Sequence, residues 1–345
     1  MAIIRSLENA NQLTDWSEEV NIIPNMWGLV SSLGLFTEKG ISQVSFTFDE
    51  NIKSLALMED TVRGERKIYN KNETRKTHSI PVPHFTLDDG LDPSDIQGVV
   101  LDGSGRSATQ LSVERTRILE RIRRSYAATI EKARVETLKG NIYSPNLTVD
   151  VNLYTEFGLG AQNVVAINTT TDAKDIGKKT EEIIAYIQDN VQNGSMVTDF
   201  VAICSPSFFT NLISDPEVED AYNFFNATNQ VGGAQPLRDR LGSPLDVRGR
   251  QFNYRGVTFI EYRGSYGGVP LIEADTAYAF PLNVDGMFET IYAPANRFSY
   301  VNTVGMSQYV FEKMVDDVKW TYETETNFLN MCYRPQAITK VTLTV

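Results

Sequence analysis

The chain has 345 residues, 41% hydrophobic and 22% charged, the composition of a folded protein with room for two medium domains or one domain with large excursions. Its formal net charge of −12 comes from no single run, which argues against a sequence-specific nucleic-acid binder or an anionic-membrane binder; both need a concentrated basic face. Two cysteines, Cys204 and Cys332, make no disulfide framework, and no window approaches the roughly 18 apolar residues of a membrane-spanning helix.

Residues 1–8 lack the charged and apolar regions of a signal peptide, so the expectation is a chain that is soluble and folds in a reducing cytosol. The first forty residues mix Trp16, Ile22, Met26, Trp27, Leu33 and Phe36 with polar residues and glycines at no single period. That pattern suits a small subdomain, or an arm that finds its core on a neighbouring molecule. Residues 41–58 read as strand, with Val44, Phe46 and Phe48 alternating with Ser45 and Thr47. Residues 70–79 then contain nothing apolar, and residues 59–78 hold six basic side chains (Arg63, Arg66, Lys67, Lys71, Arg75, Lys76) against four acidic ones. With the return limb 80–87 held extended by Pro81 and Pro83, this predicts a long projecting hairpin with a polar tip. A hairpin standing alone is marginal in water and needs something to pack on.

Asp88-Asp89-Gly90, Asp92-Pro93 and Asp102-Gly103-Ser104-Gly105 read as turns. The longest helix signal follows over 109–139, where Leu111, Ile118, Leu119, Ile122, Tyr126, Ile130, Ala133 and Leu138 recur at three- and four-residue steps until Gly140. Such a helix is ~46 Å long. Its eight basic and four acidic residues are expected on the opposite, solvated face. Short strands are expected through 141–169, then a helix from about Asp172 to Asn193. The apolar run 200–204 reads as a buried strand leading into Ser205-Pro206, a cap with proline at the first helical position, and a helix over 206–214. Residues 226–250 are loop-like. Strands are expected at 257–262 and 269–274 around a turn, and again through the C-terminal third. The class is α+β, with a compact α/β portion in the middle.

No catalytic constellation emerges. The two histidines, His78 and His84, share a face of an extended stretch, so a metal clip is conceivable, but no cysteine or supporting acid accompanies them. There is no Gly-x-Ser-x-Gly elbow, and Asp102–Ser107 lacks the Gly-Lys-Ser/Thr ending of a phosphate loop. Asp88, Asp89, Asp92 and Asp95 depart from the spacing of a calcium loop, and Asp316-Asp317 would point to opposite faces of a strand. Phe46, Phe48, Trp320 and Tyr322 alternate as core residues do, rather than as a stacking platform for bases. The expectation is no catalytic, cofactor-binding or metal residue, no cofactor and no enzyme.

The order of parts, a mixed arm, a charged hairpin, a long helix, an α/β portion and a return to strands, resembles the Hong Kong 97-type phage capsid fold. Local stretches are similar to the lambda-type tailed-phage major capsid proteins, the E family: Phe252-Asn253-Tyr254-Arg255-Gly256-Val257-Thr258-Phe259-Ile260-Glu261-Tyr262, Pro270-Leu271-Ile272-Glu273-Ala274-Asp275, Ala277-Tyr278-Ala279-Phe280-Pro281, Tyr292-Ala293-Pro294-Ala295-Asn296 and Arg334-Pro335-Gln336-Ala337-Ile338. The resemblance implies an N-arm at 1–40, an extended E-loop hairpin at 41–87 and a P domain at 88–194 with its spine helix over 109–139. It implies an A domain at 195–290 and return strands of the P domain at 291–345. The implied function is that of a major capsid (head) protein, self-assembling into the icosahedral shell around the double-stranded DNA of a tailed bacteriophage. An encapsulin-like bacterial compartment is the alternative. Implied partners are copies of itself in hexamers and pentamers, a scaffolding protein, a portal, a decoration protein, and packaged DNA by non-specific contact, with no membrane. The implied location is the virion, with assembly in the host cytoplasm. No residue matches the motif of the Lys–Asn cross-links made by some relatives of this fold.

Overall fold

The computed structural model describes residues 14–15, 28–53, 73–96, 107–144, 151–168, 175–191, 197, 199–220, 250–266, 269–315 and 318–344. In chain order these form β1 (Thr14–Asp15), α1 (Leu29–Ser32), β2 (Thr37–Gly40), β3 (Ser45–Lys53), β4 (Glu73–Pro81), β5 (His84–Leu91), α2 (Pro93–Ile96) and α3 (Ser107–Leu138). There follow α4 (Leu153–Glu156), β6 (Asn163–Asn168), α5 (Asp175–Asn190), β7 (Phe200–Cys204), α6 (Pro206–Ile213), β8 (Gln251–Tyr254) and β9 (Val257–Glu261). The remainder comprises β10 (Ser265–Tyr266), β11 (Val269–Pro270), β12 (Thr276–Pro281), β13 (Phe288–Tyr292), β14 (Tyr309–Val315), β15 (Lys319–Cys332) and β16 (Thr339–Thr344).

The apolar run 200–204 becomes the middle of a six-stranded mixed sheet ordered β6-β16-β12-β7-β9-β8. All five residues of β7 and all six of β12 are buried, as expected of strands covered on both faces. Helices α5 and α6 pack on this sheet. Ser205 accepts the Phe208 N–H through its hydroxyl at 3.3 Å and Pro206 opens α6, so the predicted cap is made as the sequence indicates. The sheet draws on strands far apart in the chain, since β16 pairs with β12 on one side and in parallel with β6 on the other.

The second sheet is organised by β15. Over Lys319–Glu325 it pairs with β14, over 320–327 with β5, and over 328–332 with β13; β13 in turn carries β2 in parallel. Fourteen strand residues span about 46 Å, and the 32 residues of α3 span about 48 Å. The two long elements lie along each other. Tyr126 meets Thr324 through a 2.7 Å hydroxyl contact, and Thr137 donates to the Asn330 carbonyl at 3.5 Å. Ile118, Leu119, Ile122 and Tyr126 pack with Leu91, Val310 and Tyr322 between helix and sheet. The helix stops at Gly140, whose φ of 85° suits glycine, and a Cβ there would lie 2.2 Å from the Tyr154 ring.

Strands β3 and β4 form a two-stranded antiparallel ribbon outside both large sheets, in register from Ser45↔Pro81 to Lys53↔Glu73. Its base is anchored by buried Phe46 and Ile80. The expected polar tip is corrected in part: Glu73–Ser79 belong to β4 and pair with β3, while Arg66 and Lys67 lie outside the described residues, as do residues 226–249 and most of the first 27.

Several local expectations are corrected. The limb expected at 80–87 is two strands: β4 ends at Pro81, the chain breaks at Val82-Pro83, and β5 joins the second sheet. Asp88-Asp89-Gly90, expected as a turn, lies inside β5, paired with Glu323, Tyr322 and Thr321. Ladder pairing with a distant strand outweighs the local turn preference. Within 141–169 the described strand is β6; Leu153–Glu156 is instead one helical turn, because the Asn152 side chain accepts the N–H groups of Tyr154 and Thr155. The strand expected at 269–274 shrinks to β11, paired with β10, and the chain turns before β12.

Candidate functional site

The two histidines are not brought together. His78, on β4, stacks on Phe48 and places Nδ1 2.9 Å from Glu156 Oε1. His84, on β5, contacts Asn327 Oδ1 at 2.5 Å. They belong to different sheets, because the Val82-Pro83 break breaks the shared face that a continuous strand would give them. Among the described residues no cluster of three or more His, Cys, Asp or Glu side chains could hold a metal ion. Cys204 and Cys332 are free and fully buried, and burial pushes both thiols up, Cys332 to about 12, which leaves them as inert core residues.

The acidic stretch expected as a solvated turn instead fastens β5 to the long helix. Arg121 donates to Asp89 through Nε at 2.9 Å and also through a second guanidinium nitrogen. Other perturbed groups have structural causes. Arg250 holds the Glu261 carboxyl below its ordinary range, with hydrogen bonds at 2.6 and 2.9 Å, helped by Arg263 and opposed by burial. Burial raises the Tyr126 phenol to about 12. Asp316-Asp317 lies outside the described residues.

The long helix departs from expectation in its second half. Glu131 and Arg134 were expected on the solvated face, yet both are buried. Glu131 accepts the N–H groups of Val30 at 2.8 Å and Ser31 at 3.0 Å, the Ser31 hydroxyl at 2.7 Å and the Tyr262 hydroxyl at 3.2 Å. Its carboxylate thereby caps α1 and ties the segment after residue 27 to the C-terminal part of the helix and to the central sheet. Gly28 (φ 92°) admits this approach; a Cβ would lie 2.2 Å from the Glu131 carboxylate. Helical spacing alone held no signal for this, since the partners come from segments a hundred or more residues away.

What the described surface offers is contact area. Between β5 and the middle of α3 runs a groove of about 740 Å³, with Phe85, Leu87 and Tyr266 on its walls and Arg117, Arg121 and Arg124 among its lining residues. The loop 297–305 holds Phe298 fully exposed, with Val301 and Val304 exposed beside it. That loop is braced. Arg297 pairs with Glu323 and Glu325 and stacks over Phe311, while Tyr300 packs edge-on against Tyr309 and Phe311. Exposed apolar side chains held on a braced loop suit contact with another surface. Sequence reading missed this patch, because three apolar residues at three-residue steps mark a short helical turn at most, and nothing local says that they face outward.

Residues 12–343 match the family described as phage major capsid protein E. The major capsid protein of Pseudomonas phage KPP10 is 39% identical over 356 residues, spanning 99% of each chain. That of Salmonella phage Felix O1 is 29% identical and spans 95% of each. Among solved structures, a prophage protein of E. coli CFT073 superposes with a TM-score of 0.58 at 13% identity, covering 96% of this chain and all of that one. The mature capsid of bacteriophage PhiM1 gives 0.51 at 14%, covering 90% and 85%. At those identities the structural likeness speaks to the fold alone.

Proposed function

The chain belongs to the phage major capsid protein E family, and from that premise we propose how its parts divide the work of building a shell. The fold is the α+β Hong Kong 97-type capsid fold, and the function is that of a tailed-phage major capsid protein, the subunit of an icosahedral shell. The observation that carries this is identity of 39% along essentially the whole chain to one phage capsid protein. The encapsulin-like compartment is not favoured. The family is structural, and the protein is part of the virion. No helix among the described residues is long and apolar enough to cross a membrane.

In the proposed division, residues 1–40 are the N-arm, 41–87 the E-loop, 88–194 the P domain with α3 as spine, 195–290 the A domain and 291–345 strands returning to the P domain. The ribbon β3–β4, standing outside both large sheets, supports the E-loop assignment. The matched lengths of α3 and β15 support a spine. The A-domain sheet would borrow β6 and β16 from the flanking segments. Copies in hexamers and pentamers would meet through arm, E-loop and the Phe298 loop, since a closed shell needs contacts between unlike patches that close on themselves. A scaffolding protein, a portal and a decoration protein complete the proposed partners, with packaged double-stranded DNA touched non-specifically and assembly in the host cytoplasm. The acidic balance suits a wall that must not trap DNA driven past it.

Electron microscopy of the purified chain with its scaffolding partner tests the proposal. Closed shells with five- and six-fold capsomers are expected; a protein that stays monomeric or dimeric under all assembly conditions overturns it. Phe298→Ser sharpens the test, with subunits expected to fold normally but to assemble poorly.

A further inference from the structure

The Phe298 loop and the groove beside α3 lie on opposite sides of the sheet organised by β15. In that sheet Tyr309 stands opposite Glu325, and Phe311 opposite Glu323. Paired residues share a face, and successive residues along a strand change face. The loop is braced on this set, through Arg297 on Glu323 and Glu325 and through Tyr300 on Tyr309 and Phe311. The other face carries Tyr322, Thr324 and Thr326, which stand opposite Asp89, Leu87 and Phe85. That face receives α3: Tyr126 meets Thr324, and Arg121 holds Asp89. Phe85 and Leu87, which wall the groove, therefore look away from the loop. The two features also sit on opposite flanks, because β14 and β5 pair with the same stretch of β15 from its two sides. With the sheet between them, one subunit cannot seat its own loop in its own groove.

We propose that the Phe298 loop of one subunit seats in the groove between β5 and α3 of the next copy in its ring. The inference rests on the shell function proposed above and names the partner of that loop. A projecting apolar set and a groove elsewhere on the same chain make a heterologous contact, which closes into a ring when the rotation between copies allows. The chemistry of the two parts matches. Residues 298–305 carry no charge. The three arginines lining the groove already have acidic partners on their own subunit, Arg117 with Glu114, Arg121 with Asp89 and Arg124 with Glu120. A charged peptide has to compete with those pairs, whereas an uncharged apolar loop leaves them in place. Exposed guanidinium planes suit an inserted phenyl ring, and Phe85, Leu87 and Tyr266 give it apolar walls. A groove of about 740 Å³ is of the size that takes a drug-sized ligand, so it accepts Phe298 with Val301 beside it. Burying Phe298 removes about 200 Å² from water, well short of the ~800 Å² per partner of a standard interface. The contact does not hold two lone copies together. Around a ring it recurs at every junction, each subunit giving one loop and one groove.

The test uses two full-length variants, Val301→Cys in the loop and Ser125→Cys in the groove lining, both at exposed positions. The native Cys204 and Cys332 are buried and stay out of the reaction. The variants are mixed, assembled with the scaffolding partner, treated with a short bismaleimide and run on a denaturing gel. A cross-linked dimer is expected from the mixture and from neither variant alone, and is expected to vanish when Val164→Cys replaces Val301→Cys. Closed particles without that dimer overturn the loop-in-groove contact and leave the shell function standing. A dimer from Val301→Cys alone also overturns it, since loop then meets loop. A chain that forms no particles or capsomers at all overturns both readings. Filling the groove with Ala128→Trp gives a second measure: capsomer yield is expected to fall as far as in Phe298→Ser, and no further in the double variant. Losses that multiply in the double variant assign the two residues to separate contacts and overturn the proposal.

Discussion

In the sheet centred on β7 and β12, the buried side chains are almost all apolar, among them Val201, Ile203, Phe259, Ala279 and Phe280. In the sheet centred on β15, the strand interior holds Thr324, Glu325, Thr326, Asn327 and Asn330, all buried. Each of these is committed to a different neighbour. Thr324 meets Tyr126 of the long helix, and Glu325 accepts the Asn296 N–H at 2.9 Å. Thr326 donates to the Ser307 carbonyl at 2.7 Å, Asn327 to the Pro294 carbonyl at 2.8 Å, and Asn330 accepts from Thr290. Apolar burial is strong but does not discriminate among partners. Buried hydrogen bonds add about 1 kcal/mol each, and a buried polar group left unpaired costs more. The first sheet therefore supplies stability. The second supplies position: it fixes where the helix, β5 and the Phe298 loop sit, and that loop is among the parts proposed to meet other copies.

The largest expected effect breaks the first half of this contrast. Phe280→Ala, in the fully buried β12, is expected to cost about 3–5 kcal/mol in urea unfolding of the unassembled chain. A loss below about 1 kcal/mol would place the stabilising core elsewhere. Glu131→Leu comes next. It removes the acceptor of the Val30 and Ser31 amides and the Tyr262 hydroxyl, for an expected loss of about 2–3 kcal/mol. Amide hydrogen exchange should accelerate at residues 29–32 beyond the global change. A purely global acceleration would show that Glu131 stabilises without positioning.

Glu261→Gln probes the acid range. Because Arg250 holds the folded carboxyl below its unfolded value, the pair stabilises above the ordinary carboxylate range and loses its contribution as pH falls through the folded value. Both arginines are well exposed, so solvent screens the pairs and the difference near neutral pH should be about 1 kcal/mol. It should vanish well below pH ~4. A difference that persists unchanged in acid would assign the effect to packing. The smallest effect is expected from Arg124→Ala, whose pairing with Glu120 is solvent-exposed at 3.5 Å; its stability should stay within about 0.5 kcal/mol. A larger loss would mean that the exposed face of the helix contributes more to the lone subunit than to its contacts.

Elements whose cause is local were legible without coordinates. The long helix follows from three- and four-residue apolar steps ended by Gly140, and α6 from Ser205-Pro206 ahead of an apolar turn. The buried strand β7 follows from five apolar residues in a row. A hairpin was legible from Phe46 and Phe48 alternating on one stem, but not its return strand, which is Glu73–Pro81 rather than 80–87. The candidate surfaces were not. Nothing in the spacing of Phe298, Val301 and Val304 marks a loop braced by Arg297, because the braces come from β14 and β15.

The amino-acid order alone thus reached a mixed class of helices and strands, the long helix and the absence of a motif for catalysis, and by resemblance it named the α+β capsid fold. Periodicity and capping act between residues a few positions apart. Only the tertiary structure decided that Asp88-Asp89-Gly90 is strand, that Glu131 and Arg134 are buried, and that His78 and His84 part company. Those outcomes depend on contacts such as Leu87 with Thr324, 237 positions apart. A ladder partner or a buried acceptor supplied across that distance outweighs the local preference of the residues it meets.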